Sequence, residues 1–268
     1  GWDVILFPSP AFRRMLVVGI GTAVAQQAVG VDAIQYFLSY ILERAGFDEA
    51  WKRAWMLVFM GCVKLFFIFV GGFLFDRRGR RPLLFISLAG MTAAMLLMSI
   101  NFIGDQSSTV FSILALTVYF AMFSVGMGPG AWLVPAEVFA TCIRAKAMSV
   151  ATFLNRMTAT LMSTTFLTTA HAMSWAGFFF LLSLICLVVL GFVYTYLPET
   201  KGRSLEDMSV YFAEITGDRS ILEAEDRITR EREAREHAEA TAPKFEPPKA
   251  RDTPRETPVD ARVIGTMA

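Results

Sequence analysis

The chain has 268 residues, of which 54% are hydrophobic and only 18% charged, with a net charge of +1. A soluble domain carries about a quarter charged residues, so this composition points to a membrane protein. The net charge itself says little about partners. The charges are also unevenly placed: the last 55 residues, from Glu214 onward, hold nearly half of them. The protein therefore reads as an oily body with a charged tail.

A spanning helix needs about 20 mostly apolar residues, and six stretches qualify: 15–41, 54–75, 82–104, 109–134, 145–170 and 175–197. If they alternate in direction, Arg13, Arg14, Arg77, Arg78, Arg80, Arg81, Arg144, Lys146, Lys201 and Arg203 fall on one side. The other side receives Arg44, Lys52 and Arg53. The positive-inside rule makes the first side cytoplasmic, with both ends of the chain on it. Residues 1–14 are then a cytoplasmic lead-in and 15–212 a six-helix domain. Because the first residues, GWDVILFPSP, do not read as a start, further sequence is expected upstream.

Residues 213–240 are rich in Glu, Arg and Ala and are expected to form a charged cytoplasmic helix supported by i,i+4 pairs. Residues 241–268 are rich in proline and too polar to bury a core, so they are expected to be disordered. Cys62, Cys142 and Cys186 lie in or beside apolar runs without metal-ligand spacing and read as small buried residues. No nucleotide-binding loop, nucleophile elbow, metalloprotease or nucleic-acid motif is present. Hence no catalysis, no cofactor, no metal and no nucleic-acid partner are expected.

Two polar segments interrupt the apolar runs. GGFLFDRRGRRPLL, 71–84, closes the second span and opens the third, with Gly79 suited to a tight turn and Pro82 to a first helical turn. AEVFATCIRAKAMS, 136–149, follows the fourth span. Asp76, Arg80 and Arg81 in the first segment and Glu137 and Arg144 in the second share one face of the membrane. They read either as topology charges or as a latch. Within the spans, Gln26, Gln27 and Asn155 offer both donors and acceptors. Asp32 and Lys64 are ionisable groups costing a few kcal/mol each at mid-membrane; they are expected to be satisfied within the bundle, either by each other or otherwise. Gly126, Gly128, Pro129 and Gly130 weaken the fourth span and predict a kink there.

Four motifs, in order, resemble those of the sugar porter branch of the major facilitator superfamily. DRRGRR, 76–81, resembles its signature loop, and QQAVG, 26–30, its seventh-helix glutamine pair. GPGAWLVPAEVFATCIRAKAMS, 128–149, resembles the tenth-helix motif with the Glu…Arg loop after it. LPETKGRSLEDM, 197–208, resembles the sequence following the last helix. The resemblance covers about residues 10–212. It implies an all-α integral membrane protein whose six transmembrane helices form the C-terminal half, helices 7–12, of a major facilitator fold. The amino-terminal six-helix half is then a partner, in cis or in trans, together with the lipid bilayer.

Asp32 in GVDAI, Lys64 in GCVKLFFI and LNRMT…TTFL, 154–167, resemble the polyol and monosaccharide proton symporters in particular. The implied function is alternating-access transport of a sugar or polyol, with protons as a coupled partner. The alternative is a sugar-sensing receptor with the same fold that signals through the tail. The implied substrate contacts are Gln26, Gln27, Asp32, Tyr36, Phe123, Gly128, Trp132 and Asn155, the aromatics covering the C–H face of the ligand. The implied cytoplasmic charge network is Asp76, Arg80, Arg81, Glu137, Arg144 and Glu199. In it Glu137 pairs with Arg80 or Arg81, and Arg144 with Glu199 or with the other half. The membrane, plasma or organellar, is left open.

Overall fold

A computed structural model describes residues 2–46, 49–103 and 108–241. The described chain is helical: α1 (Asp3–Leu6), α2 (Pro10–Ala28), α3 (Val31–Tyr36), α4 (Leu38–Arg44), α5 (Ala50–Arg78), α6 (Arg80–Asn101), α7 (Thr109–Met122), a π-helical segment (Phe123–Met127), α8 (Gly128–Val138), α9 (Arg144–Tyr196), α10 (Leu205–Thr216) and α11 (Ser220–Thr241). Residues up to Ile228 form one compact unit and Thr229 onward a second; the following concerns the first. The Pro-rich stretch from residue 242 lies outside the described residues.

Five of these stretches are long and apolar enough to cross a membrane: Pro10–Tyr36, Ala50–Arg78, Arg80–Asn101, Thr109–Val138 and Arg144–Tyr196. Three of the five depart from a plain rod. The first breaks at Gly30, whose φ of 86° is left-handed, a backbone that glycine alone adopts without penalty. The fourth carries the expected irregularity as the π-helical segment FSVGM ahead of Gly128. The fifth, 53 residues long, breaks at Ser174, with φ 64° and ψ 162°. Trp175 beside that break packs among Tyr40, Phe102, Phe166, Phe178 and Phe179.

The core forms between α2, α6, α7 and α9, where Met15, Leu88, Met91, Leu116, Tyr119, Phe179 and Leu182 are fully or almost fully buried. Polar side chains bridge the helices by donating to backbone carbonyls. Tyr119 reaches Val29 O at 2.9 Å, Ser99 reaches Ala176 O at 2.8 Å and Ser183 reaches Thr92 O at 3.1 Å. Hydroxyls paired in this way hold helices together where apolar packing alone gives little discrimination between protein and lipid. By contrast, α5 buries only Met60, Gly71 and Phe75 and exposes Trp55, Phe59, Phe66, Phe69 and Phe73. An apolar helix left this open is one that lipid or another bundle covers. Cys186 is buried, but Cys62 lies on this open face of α5 and is exposed, contrary to the sequence expectation; its neighbours on α5 face outward rather than into the core.

Candidate functional site

Midway along the bundle, three helices meet through amides. Gln26, near the end of α2, donates from Nε2 to the carbonyl of Gly128 at 3.0 Å. The irregular backbone ahead of α8 leaves that carbonyl open to a side chain. Asn155 on α9 is fully buried and donates from Nδ2 to Ala23 O at 2.6 Å and to Gln26 Oε1 at 2.9 Å. The chain Asn155–Gln26–Gly128 thus joins α9, α2 and α8. Gln27, the next residue, points elsewhere; its Oε1 is buried without a hydrogen-bond partner. An orphaned buried acceptor of this kind costs free energy until a donor reaches it.

Arg156, which sequence reading did not single out, extends the network. Its Nε donates to Asn155 Oδ1 at 3.0 Å, and its Nη1 lies 3.6 Å from Asp32 Oδ2. Direct pairing of Asp32 with Lys64 is not what the structure shows. Lys64 donates to Gln35 Oε1 at 2.5 Å and sits 5.3 Å from the Phe120 ring centroid. The reason is register: Gln35 lies one turn beyond Asp32 on α3, and the carboxylate is already taken by α9. Each ionisable group thus has a polar partner on a neighbouring helix, Gln35 for Lys64 and Arg156 for Asp32, in contacts that are partly exposed. Of the aromatic candidates, Phe123 is buried, Trp132 half-buried and Tyr36 72% exposed; the first two lie on the stretch that contains Gly128.

A second cluster gathers at the basic end. Gly79, with φ 92°, makes the turn from α5 to α6 and brings two free amides toward Glu199. Arg80 N and Arg81 N donate to Glu199 Oε1 and Oε2 at 3.0 and 3.1 Å, and Lys201 N donates to Oε1 at 3.0 Å. A carboxylate at this position satisfies the orphan donors of a helix start and complements its dipole. The Arg80 guanidinium then turns to Glu137 on α8, Nη2 to Oε1 at 2.6 Å, and Thr200 Oγ1 donates to Glu137 Oε2 at 2.6 Å. Arg81 instead donates to Tyr194 O at 2.8 Å.

Two residues expected in this network stand outside it. Arg144 folds back onto the carbonyl of Phe139 at 3.3 Å, because it opens α9 directly after the tight loop that Phe139 begins. Asp76 is exposed, one residue past the buried Phe75, and takes part in none of the ion pairs of the described residues. Thr200, which the sequence reading passed over, supplies the contact that joins Glu137 to the segment after α9.

Comparison with known proteins places this architecture. The family described as Sugar (and other) transporter matches residues 4–212. Polyol transporter 5 of Arabidopsis thaliana is 38% identical over 218 residues, 79% of this chain and 40% of that protein. Probable polyol transporter 4 of the same plant is 36% identical over 214 residues, 79% of this chain and 41% of that protein. The chain thus spans about two-fifths of the length of these relatives. The fold is similar to that of XylE, a major facilitator superfamily proton:xylose symporter solved with 6-bromo-6-deoxy-D-glucose. The TM-score is 0.70 at 23% identity, over 78% of this chain and 44% of that one. With a family match over most of its length and relatives above 30% identity, the chain is a multi-pass integral membrane protein that belongs to the sugar (and other) transporter family.

Proposed function

We propose that the chain is the C-terminal six-helix half of a sugar or polyol transporter working by alternating access. A straight helix of 53 residues would be about 80 Å long, more than twice the roughly 30 Å of a bilayer's hydrocarbon core. The break at Ser174 therefore divides α9 into two crossings, which brings the count to six. The observation that carries the reading is the Asn155–Gln26–Gly128 junction with the unpaired Gln27 Oε1 beside it. Amides gathered where α2, α8 and α9 meet offer a polyhydroxylated ligand both donors and acceptors, and the irregular backbone ahead of Gly128 is tolerated in a membrane where it lines such a site.

In this reading Gln26, Gln27 and Asn155 contact the ligand's hydroxyls, and Trp132 and Phe123 cover its C–H face. Asp32 is joined to the site through Arg156, and transport is coupled to protons. The Arg80–Glu137–Thr200 cluster latches the cytoplasmic ends of α6 and α8 and the segment after α9 in one state of the cycle; α10 lies on that cytoplasmic face. The cycle needs an amino-terminal six-helix bundle, against which the open face of α5 packs.

The test is uptake of labelled glucose, xylose, mannitol and inositol at pH 5.5 and 7.5. The cells lack their own hexose carriers and express the chain with an amino-terminal six-helix bundle. Saturable uptake of at least one polyol, faster at pH 5.5 and lost in Asn155→Ala, is expected. Uptake of none of the four by a correctly inserted protein overturns the reading.

A further inference from the structure

The basic end of the bundle carries a cleft of ≈ 390 Å³ lined by Pro10, Arg13, Arg14, Val17, Tyr196 and Thr216. It lies where the start of α2, the end of α9 and the end of α10 converge. Neither Arg13 nor Arg14 takes part in an ion pair of the described residues. The contrast with Arg80, gripped by Glu137, is plain. The Arg14 guanidinium carbon instead lies 5.6 Å from the Tyr196 ring centroid, a cation–π placement that holds the head in the cleft. Asp218, whose carboxylate accepts from Ala11 N at 3.3 Å and from Ser220 at 3.0 Å, is committed to the starts of α2 and α11 and does not neutralise the pair.

The lip of the cleft is apolar: Val17 and Tyr196 are 41% and 44% exposed. Trp2, Leu6 and Phe7 of the lead-in are exposed as well, and Lys146 lies 5.6 Å from the Trp2 ring centroid. Aromatic side chains beside cations at helix ends are the signature of the membrane–water interface. The cleft therefore offers two uncompensated cations at headgroup level with an apolar edge directly beside them. A small soluble anion uses only the cations; a phospholipid uses both.

We propose that this cleft binds a phosphate-bearing anion presented by a lipid headgroup. Arg13 and Arg14 hold the phosphate, and Val17 and Tyr196 meet the first methylenes of the acyl chains. The proposal rests on the chain crossing a membrane and not on what it transports. Basic pockets between helices are where anionic headgroups bind selectively, with a substantial contribution from each cation.

The experiment is native mass spectrometry of the detergent-purified chain titrated with dioctanoyl phosphatidylinositol 4-phosphate, dioctanoyl phosphatidylcholine and water-soluble inositol 1,4-bisphosphate. The anionic lipid is expected to bind, and Arg13→Gln with Arg14→Gln to weaken it about tenfold or more. Arg77→Gln with Arg78→Gln, an equal loss of charge at the same end, should change it less than about twofold. Thr216→Glu places a carboxylate in the cleft without touching either arginine. It should reproduce the loss, which guards against a double variant that fails to fold. Equal weakening by both arginine pairs, equal binding of phosphatidylcholine, or inositol bisphosphate binding as tightly as the lipid each overturns the proposal.

Discussion

Arg80 and Glu137 meet through two guanidinium nitrogens, Nη2 at 2.6 Å and Nε at 3.0 Å, while the backbone amide of the same arginine is held by Glu199. One residue thereby joins α8, α6 and the segment after α9. An isolated surface pair contributes little. Here, however, the two side chains are only 14% and 24% exposed, and truncating one partner leaves the other's charge half-buried. If the contact forms in one state of the transport cycle only, its loss shifts the population of states by the same free energy. Glu137→Gln keeps the hydrogen bond from Thr200 and removes the charge. It should cost about 1–2 kcal/mol of that state and raise the accessibility of cysteines introduced at the basic end of the bundle. Unchanged labelling rates would reduce the cluster to a static brace.

Glu199 makes a separate prediction, because its partners are backbone amides. Its carboxylate accepts from Arg80 N, Arg81 N and Lys201 N, and a capping acceptor is worth about 1 kcal/mol. Glu199→Ala should lower the melting temperature of the detergent-solubilised chain, with Glu199→Gln, which retains one acceptor oxygen, falling between it and the parent. The ordering is the test: if Gln and Ala are equivalent, charge rather than capping is what Glu199 supplies.

Gly79 and Glu199 also show how far sequence alone reaches. Spans, basic end and turn positions were legible because each follows from a local rule: about 20 apolar residues, clustered arginines, a glycine between helices. The partner choices were not. Arg80 and Arg81 are chemically identical and adjacent, and only the helical phase of α6 decides that one faces Glu137 and the other the Tyr194 carbonyl. The same holds for Asp32, which meets Arg156 rather than Lys64 because α9, not α5, passes beside it. The break at Ser174 carries no glycine or proline, yet it falls in the short interval, His171 to Ser174, at which the sequence reading ends one apolar run and begins the next.

Glycine contacts separate close packing from mere flexibility. A Cβ at Gly71 would lie 2.5 Å from the backbone oxygen of Val125, and one at Gly126 would lie 2.5 Å from Ser87 Cβ and 2.8 Å from Leu83 O. Backbone cannot yield as a side chain can, so Gly71→Ala and Gly126→Ala should each push a helix outward and cost about 1–3 kcal/mol. Gly61 and Gly72, on the open face of α5, have nothing within 4 Å of such an atom. Ala there should be neutral or stabilising by up to about 1 kcal/mol. Thermal unfolding of the four single variants checks the contrast, and a loss at Gly72 equal to that at Gly71 would contradict the packing described.

Arg156 yields a prediction that separates its role from that of Asn155. It donates to Asn155 Oδ1 and lies against Asp32, so it holds two groups at once. Arg156→Gln keeps a donor for Asn155 but leaves Asp32 without its cation. In the uptake assay this variant should lower the rate of transport while leaving the order of substrate preference intact, and Arg156→Lys, which restores a cation beside Asp32, should recover part of that rate. Asn155→Ala should instead weaken binding of every polyol. If Arg156→Gln alters preference among polyols, Arg156 is a ligand contact and not a partner of Asp32.

Asp218 ties the start of α2 to the start of α11, and its pH dependence has a definite sign. The Ser9 hydroxyl foremost, with the Ser220 amide, holds its carboxyl down at about 2, below the roughly 3.9 of an unfolded aspartate. A depressed carboxyl stabilises the folded arrangement fully above the unfolded value and loses that contribution as pH falls through the folded one. The brace between the two helix starts should therefore be intact at pH 7 and pH 5 and weaken progressively below about pH 4. Asp218→Asn should show the weakened state at every pH, since a neutral amide presents one acceptor oxygen where the carboxylate presents two. Hydrogen exchange at the first turns of α2 and α11 reads this directly. Faster exchange in the variant at pH 7, with the interiors of α6 and α7 unchanged, is the expected pattern. Equal exchange in both proteins would mean that the buried Ile221, and not the carboxylate, holds α11 in place.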